Sequence, residues 1–308
     1  MTGNPLAQTI CGIEFKNPVI AASGTFGFGE EFLDFYDVSH LGGFVTKAVT
    51  PKPRTGNPSP RIIETPSGML NAIGLQNPGL EIFVDQILPR ISKFDTVIIV
   101  NVAGSTLDDY ITVCSELDRH EAVRALEINI SCPNVKEGGL AFGNTPESAS
   151  SVIGKVREVT EKPVIAKLSP NVTDIAEIAC AVEQSGADAV SLINTLTGMV
   201  VNVETRCPML ANCTGGLSGP AVRPVAVRMV YQVAQAVSIP VIGMGGIFSA
   251  RDALEFIIAG ASLVEIGCGM FVNPKLPLDV IDGMAGYLEK HSMAAISDLI
   301  GSLKVPEV

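Results

Sequence analysis

The chain has 308 residues, of which 47% are hydrophobic and 17% charged, a balance that suits a large folded core rather than a disordered segment. Its formal net charge of −11 argues against a general affinity for nucleic acid or for anionic lipid surfaces. The apolar runs are far shorter than the roughly 20 residues that span a bilayer, so we expect neither a membrane segment nor a nucleic-acid partner.

Short β-branched runs recur along the chain, and most are followed by a stretch with helical spacing. We predict strands at residues 18–23, 43–49, 96–102, 125–131, 163–168, 189–194, 240–244 and 262–267. We predict helices at 79–91, 107–120, 146–161, 174–185, 223–236 and 250–259, with starts at Thr145 and in the Asn171 run and stops at Gly186 and Gly260.

This alternation of strands and helices predicts the fold class. Eight nearly apolar runs are typical of parallel strands that are covered on both faces. We therefore expect an α/β fold, a (β/α)₈ barrel that forms one domain over residues 1–308, with a doubly wound sheet as the alternative. The long connections 50–76, 133–145 and 195–218 would be loops at the C-terminal face, where barrel active sites are built.

Glycine clusters follow the last two predicted strands, at Gly243-Met-Gly-Gly-Ile247 and Gly267-Cys-Gly269. Glycine lets backbone N–H groups approach a phosphate closely, although turn formation is the structural alternative for either cluster. No Gly-x-Gly-x-x-Gly follows a strand and no Walker-type motif occurs, so a mononucleotide fits better than a dinucleotide.

Two lysines, Lys47 and Lys167, end otherwise apolar strands. A lysine there is costly unless its ammonium group points into a polar site. The alternatives are a lysine that reaches solvent at the rim, or a Schiff-base lysine of the kind that barrel aldolases use.

Cys132 follows the fourth predicted strand in Glu127-Ile-Asn-Ile-Ser-Cys-Pro-Asn134, which places it at the rim of the expected site together with Asn129. The chain has seven cysteines and no Cys-x-x-Cys pair, which predicts neither a disulfide framework nor a metal site. The N-terminus lacks a basic leader and an apolar signal core, so we expect a cytoplasmic protein.

Amide side chains stand at further strand or loop ends: Asn71, Asn101 and Asn194. Such groups can pair with a flat, imide-like ring, although each alone is more often a turn former. The three histidines lie outside all of these clusters, which argues against a histidine base.

The segment Asn129-Ile-Ser-Cys-Pro-Asn-Val-Lys-Glu-Gly-Gly139 resembles the catalytic loop of class 1 dihydroorotate dehydrogenases. Further similar segments are Asn17-Pro-Val-Ile-Ala-Ala-Ser-Gly-Thr-Phe-Gly27, Asn71-Ala-Ile-Gly-Leu-Gln-Asn-Pro-Gly79, Leu217-Ser-Gly-Pro220 and Gly243-Met-Gly-Gly-Ile247. They occur in the family's order over nearly the whole chain.

The resemblance implies that FMN lies over the barrel mouth, and that Cys132 is the base that helps oxidise dihydroorotate to orotate. The residues it assigns to FMN are Ser23, Lys47, Ala48, Asn101, Asn129, Lys167, Ile193, Gly219, Gly245, Gly246, Gly267 and Cys268. Those it assigns to the substrate are Lys47, Asn71, Ala72, Ile73, Gly74, Leu75, Asn129, Asn194 and Thr195. Many relatives have Gly-Thr where this chain has Gly267-Cys268. A contact through the backbone N–H tolerates this change, whereas loss of a hydroxyl contact would weaken FMN binding.

The resemblance is greatest to the NAD-linked class 1B kind. It implies a homodimer flanked by two partner subunits, each carrying FAD and a two-iron two-sulfur cluster that pass electrons to NAD. A fumarate-linked class 1A enzyme and another FMN-dependent pyrimidine oxidoreductase remain alternatives. So do a Schiff-base aldolase or phosphosugar isomerase, and a non-catalytic phosphate-ligand binding protein.

Overall fold

Parallel strands form the centre of the molecule, in a computed structural model that describes residues 4–131 and 143–306. Within these residues, eight parallel strands close into a barrel. We label them β1 to β8 in chain order: Val19–Ala21, Gly43–Val45, Val97–Val102, Ala125–Asn129, Val164–Lys167, Ala189–Leu192, Val241–Met244 and Leu263–Ile266. Because β1 pairs with both β2 and β8, the sheet has no free edge. The predicted (β/α)₈ barrel is therefore confirmed, and a doubly wound sheet is excluded.

Helices follow most of the strands. The six predicted helices are present at Leu80–Ile91, Leu107–Asp118, Pro146–Arg157, Ile175–Gln184, Arg223–Ala234 and Ala250–Ala259, the first with a π-helical middle at Phe83–Ile87. Thr145 caps its helix as predicted, since its side chain accepts a hydrogen bond from the Ser148 N–H. Two helices after β8, Gly269–Val272 and Leu276–Lys290, were not predicted, and short 3₁₀ turns at Glu30–Phe32 and Val38–His40 connect β1 to β2.

Two of the long connections are more ordered than the sequence indicated. The segments predicted as loops at 50–76 and 195–218 pair into a four-stranded antiparallel sheet, which we call the upper sheet. Its strands, in spatial order, are Leu196–Gly198, Gly215–Ser218, Gly68–Asn71 and Ile62–Thr65. Both segments leave the C-terminal ends of barrel strands, so this sheet stands at the face where barrel sites are built. The third connection, 133–145, lies largely outside the described residues.

The barrel interior begins with an apolar layer. Side chains alternate between the two faces of a strand, and the inward positions of this layer come from all eight barrel strands. They are Ile20, Val45, Val97, Ile99, Ala125, Ile165, Ala189, Ile242 and Leu263. Ile13 and Phe15, from an N-terminal hairpin of Gln8–Ile10 and Ile13–Phe15, join this layer. Outward residues pack against the helices in a separate core.

Candidate functional site

Directly above the apolar layer, five strands each carry one inward polar residue, and we call this set the polar layer. Each member stands two residues beyond an apolar inward position and therefore faces the same interior. The set comprises Asn101, Glu127, Lys167, Ser191 and Glu265, all of them buried. The strands thus hold a cluster of polar groups inside the barrel, toward its C-terminal mouth.

Glu127 is the centre of this layer. Its Oε2 accepts hydrogen bonds from Asn101 Nδ2 at 2.5 Å and from Lys167 Nζ at 3.2 Å. Its Oε1 accepts a hydrogen bond from Ser191 Oγ at 2.8 Å. A buried carboxylate is tolerated only when it is paired and hydrogen-bonded, and Glu127 meets both conditions.

Lys167 is held between two carboxyl groups. Its Nζ lies 3.2 Å from Glu127 Oε2 and 3.9 Å from Glu265 Oε2, and its side chain is only 7% exposed. Burial alone would lower the pKa of Lys167, but the nearby Glu127 and Glu265 outweigh burial and raise it. The ammonium group therefore does not reach solvent at the rim. A lysine whose pKa is raised is also poorly suited to be a Schiff-base nucleophile.

Two polar atoms of the layer are left unused. Asn101 Oδ1 and Glu265 Oε2 are buried and have no hydrogen-bond partner within the described ranges. A buried polar atom without a partner is costly, so a ligand group that donates to Asn101 Oδ1 would remove that cost. Asn101 Oδ1 is thus an acceptor that a ligand group could use.

Amide groups stand at the ends of β4 and β6, next to Lys167. Asn194 Nδ2 donates to Asn129 Oδ1 at 3.4 Å, and the Thr195 N–H donates to Asn194 Oδ1 at 2.8 Å. Ser131 Oγ donates to the Lys167 carbonyl at 3.2 Å, which ties this edge to the polar layer. The structure therefore brings together Asn129, Asn194 and Thr195, three of the residues that the resemblance assigns to the substrate.

Lys47 lies just beyond the end of β2 and is half-buried. Its backbone N–H donates to the Gly27 carbonyl at 2.8 Å. Burial lowers the pKa of its side chain, the positive Arg61 lowers it further, and Glu31 opposes both. The next residue, Ala48, is buried, and Ser23 is partly exposed beyond the end of β1. These residues occupy neighbouring strand ends of the barrel.

The segment from Asn71 to Leu75 begins in the upper sheet. Asn71 Nδ2 donates to the Gly216 carbonyl at 3.3 Å, and Asn57 donates through its backbone N–H to Ile73 and through Nδ2 to Ala72. Gly74 has a φ of +77°, and a Cβ there would lie 2.6 Å from Asn57 Cγ. Leu75 also has a positive φ, of 55°. The backbone of this segment is held in one conformation.

The glycines at the rim fall into two kinds, and we call Gly219, Gly245, Gly246 and Gly267 the glycine rim. The first three have positive φ angles, and a Cβ on Gly246 would lie 2.6 Å from the Gly219 carbonyl oxygen. A Cβ on Gly245 would lie 3.3 Å from Ile193 Cγ1, so that predicted residue adjoins the rim. Gly267 differs, because its nearest neighbour would be Ala22 Cβ at 3.8 Å. A Cβ on Gly267 would therefore make only ordinary van der Waals contacts, without the collisions found at the other three glycines.

Cys268 follows the glycine rim and is buried. Burial raises the pKa of its thiol, and contacts with Ser218 and its own backbone oppose that rise only in part. Cys268 therefore stays a neutral thiol. Cys132, the predicted base, lies outside the described residues.

The histidines are remote from these groups. His40 contacts the Asp37 carbonyl, His120 pairs with Glu116 in the last turn of the preceding helix, and the His291 ring packs on Tyr287. No group of three or more His, Cys, Asp or Glu in the described ranges is placed to hold a metal ion. No helix in that same part of the chain is long and apolar enough to cross a membrane.

The profile of the dihydroorotate dehydrogenase family matches residues 5–288. The chain belongs to the dihydroorotate dehydrogenase family. It is 54% identical over 299 residues to "Dihydroorotate dehydrogenase B (NAD(+)), catalytic subunit" of Pelobacter propionicus, a match that covers 97% of this chain and 98% of that one. It is 56% identical over 296 residues to the protein of the same name in Desulforudis audaxviator, with 96% of each chain covered.

A solved structure supports the same family at the level of the fold. The DHODH of Eimeria tenella, solved in complex with ferulenol, matches this chain with a TM-score of 0.81 and 25% sequence identity. The match covers 96% of this chain and 88% of the Eimeria chain. Membership of the dihydroorotate dehydrogenase family agrees with the resemblance found in the sequence and disfavours the aldolase and isomerase alternatives.

Three residues of the polar layer were not predicted from the sequence: Glu127, Ser191 and Glu265. All three lie inside runs that we treated as apolar strands. The available signal was a single acidic residue in each of Ala125-Leu-Glu-Ile-Asn129 and Leu263-Val-Glu-Ile266. A charged residue inside a buried strand requires a partner of opposite charge, and Lys167 was the candidate.

Proposed function

We propose that this chain is the FMN-containing catalytic subunit of an NAD-linked dihydroorotate dehydrogenase, which oxidises dihydroorotate to orotate in pyrimidine synthesis. The observation that carries the proposal is the 54% identity, over nearly the full length of both chains, to a relative of that name. The polar layer and the amides above it supply the groups that a planar, negatively charged substrate and a flavin require.

The residues at the barrel mouth fit FMN. Asn101 Oδ1 has no partner in the described chain and can accept a hydrogen bond, while Lys167 supplies a buried positive charge. The glycines of the rim carry no Cβ, so their backbone N–H groups can approach a phosphate closely. We assign to FMN Ser23, Lys47, Ala48, Asn101, Asn129, Lys167, Ile193, Gly219, Gly245, Gly246, Gly267 and Cys268. When bound, FMN would accept the hydride from C6 of dihydroorotate.

The substrate site would contact the substrate carboxylate with a positive charge and the edge of the substrate ring with amide groups. Lys47 can pair with the substrate carboxylate, and Asn129 and Asn194 can hydrogen-bond the imide edge. Thr195 and the fixed backbone from Asn71 to Leu75 would complete the contacts, so that the ring is oriented before reaction. By resemblance, Cys132 takes the proton from C5, and it can do so only as a thiolate.

We propose that the electrons leave through a partner subunit. The name "catalytic subunit" of the relatives supports a separate partner. The partner would carry FAD and a two-iron two-sulfur cluster and would reduce NAD, with two copies of this chain flanked by two partners in the cytoplasm. A fumarate-linked enzyme is the alternative.

The test is turnover by the purified full-length chain with dihydroorotate and, separately, an artificial dye, NAD or fumarate. We expect orotate to form with the dye and neither NAD nor fumarate to be reduced efficiently without a partner. Efficient fumarate reduction would assign the chain to the fumarate-linked kind. Absence of orotate with every acceptor would contradict the proposal.

A further inference from the structure

The polar layer contains an imbalance of charge. Within the described residues it has two carboxyl groups, Glu127 and Glu265, which are 0% and 1% exposed, and one ammonium group, on Lys167. Lys167 Nζ is within 4 Å of both, at 3.2 Å and 3.9 Å. If both carboxyls were ionised, the buried cluster would carry one uncompensated negative charge. Such a charge costs several kcal/mol in a protein interior, so one proton is expected to remain.

The two carboxyls have unequal surroundings. Glu127 accepts hydrogen bonds from Asn101, Lys167 and Ser191, and donors of this kind stabilise the ionised form. Glu265 Oε2 has no donor in the part of the chain described, and its contact with Lys167 is too long for a hydrogen bond. The geometry therefore favours ionised Glu127 and neutral Glu265.

We propose that Glu127 and Glu265 are positioning residues for Lys167. The two carboxyl groups together hold one proton, which lies on Glu265, and so fix the place and charge of the lysine ammonium group. Burial and the charge of Glu127 both raise the pKa of Glu265, in agreement with this assignment. The net charge of the three groups is then zero. On the proposed function, with FMN over the barrel mouth, this balance sets the reduction potential of the flavin.

The position of the proton can be tested by infrared spectroscopy of the full-length chain near neutral pH. A protonated carboxyl group gives a carbonyl band that ionised carboxylates lack. We expect the band in the unaltered protein, its loss in Glu265→Gln, and its retention in the control Glu158→Gln, which changes an exposed carboxyl paired with Lys155. Absence of the band from the unaltered protein, or its survival in Glu265→Gln, would overturn the assignment.

The effect on the flavin can be tested by its midpoint potential. Glu265→Gln replaces one neutral group by another. The potential should therefore change by less than the equivalent of an about threefold change in the equilibrium constant for flavin reduction. The double variant Glu127→Gln, Glu265→Gln leaves Lys167 uncompensated. At an effective dielectric near 20, a unit charge within about 10 Å of the flavin changes such an equilibrium by at least about tenfold. That is about 30 mV for a two-electron couple, here toward easier reduction.

A rise of about 30 mV or more in the potential of Glu265→Gln would show that Glu265 is ionised in the unaltered protein. A double variant with unchanged potential would show that the pair does not act on the flavin. If the double variant does not fold, the infrared band and Glu265→Gln still decide the proposal. If the chain binds no flavin, the proposed function fails while the infrared result still locates the proton.

Discussion

The polar layer and the glycine rim lie at the same end of the barrel, but opposite requirements fix them. In the polar layer, Glu127 accepts three hydrogen bonds, one of them from Lys167. The buried charges of Glu127 and Lys167 therefore stabilise each other. In the glycine rim, Gly219 and Gly246 approach so closely that a single Cβ would collide with backbone. The polar layer therefore depends on which side chains are present, whereas the glycine rim depends on having no side chains. A charge change should disturb the layer, and added volume should disturb the rim.

Neither region contains the proposed base, Cys132. The largest expected effect on the rate of flavin reduction therefore comes from a substitution outside both regions. Cys132→Ala should slow flavin reduction by dihydroorotate by about 10²–10⁴-fold, the usual scale for loss of a general base. Single-turnover absorbance would measure the rate. FMN content and melting temperature should stay unchanged, because both regions remain intact. A rate near that of the unaltered chain would remove Cys132 from the mechanism.

A charge change in the polar layer should be costly. Lys167→Met removes the cation that lies between Glu127 and Glu265, and loss of one partner of a buried ion pair typically costs about 3–5 kcal/mol in the free energy of unfolding. The matched control is Lys155→Met, whose pair with Glu158 is exposed, for which we expect at most about 1 kcal/mol. Denaturant unfolding compares the two. Equal losses would mean that the layer does not depend on charge pairing.

Added volume separates the two kinds of glycine. Gly267→Val adds a Cβ that would meet Ala22 only at an ordinary contact distance of 3.8 Å, so the chain should fold normally but bind FMN at least about tenfold more weakly if the phosphate lies there. Gly246→Val should lose FMN and also stability, because its φ is +75° and its Cβ would contact the Gly219 carbonyl. Flavin titration and thermal melts distinguish these outcomes. A fully yellow Gly267→Val protein would place the phosphate elsewhere.

The smallest expected effect is a pH dependence at Lys47. Because burial and then Arg61 lower the pKa of Lys47, its positive charge is lost at a lower pH than that of a free lysine. Each pH unit above that pKa lowers the charged fraction about tenfold, so orotate should bind more weakly as the pH rises. Lys47→Arg keeps its charge and should remove this dependence. Identical pH profiles of the orotate dissociation constant in the two proteins would argue against pairing of Lys47 with the carboxylate.

The same contrast explains what the sequence could predict. Barrel strands and the lysine at a strand end leave a local signal, because a run of apolar residues and its last polar residue are adjacent in the chain. Glu127 and Glu265 stand far apart in the sequence, and only closure of the barrel brings both to Lys167. The upper sheet was missed for a similar reason. Its pairing of Asn71 with Gly216 joins two segments that are each rich in turn-forming residues.

The central claim is that the site at the barrel mouth passes hydride from dihydroorotate to a bound flavin. Its most direct test is to add one equivalent of dihydroorotate, without oxygen, to the purified full-length chain and to record the visible spectrum. We predict a yellow protein whose flavin absorbance is bleached, with about one orotate formed for each flavin reduced. A yellow protein that keeps its absorbance and leaves dihydroorotate unchanged would contradict the account.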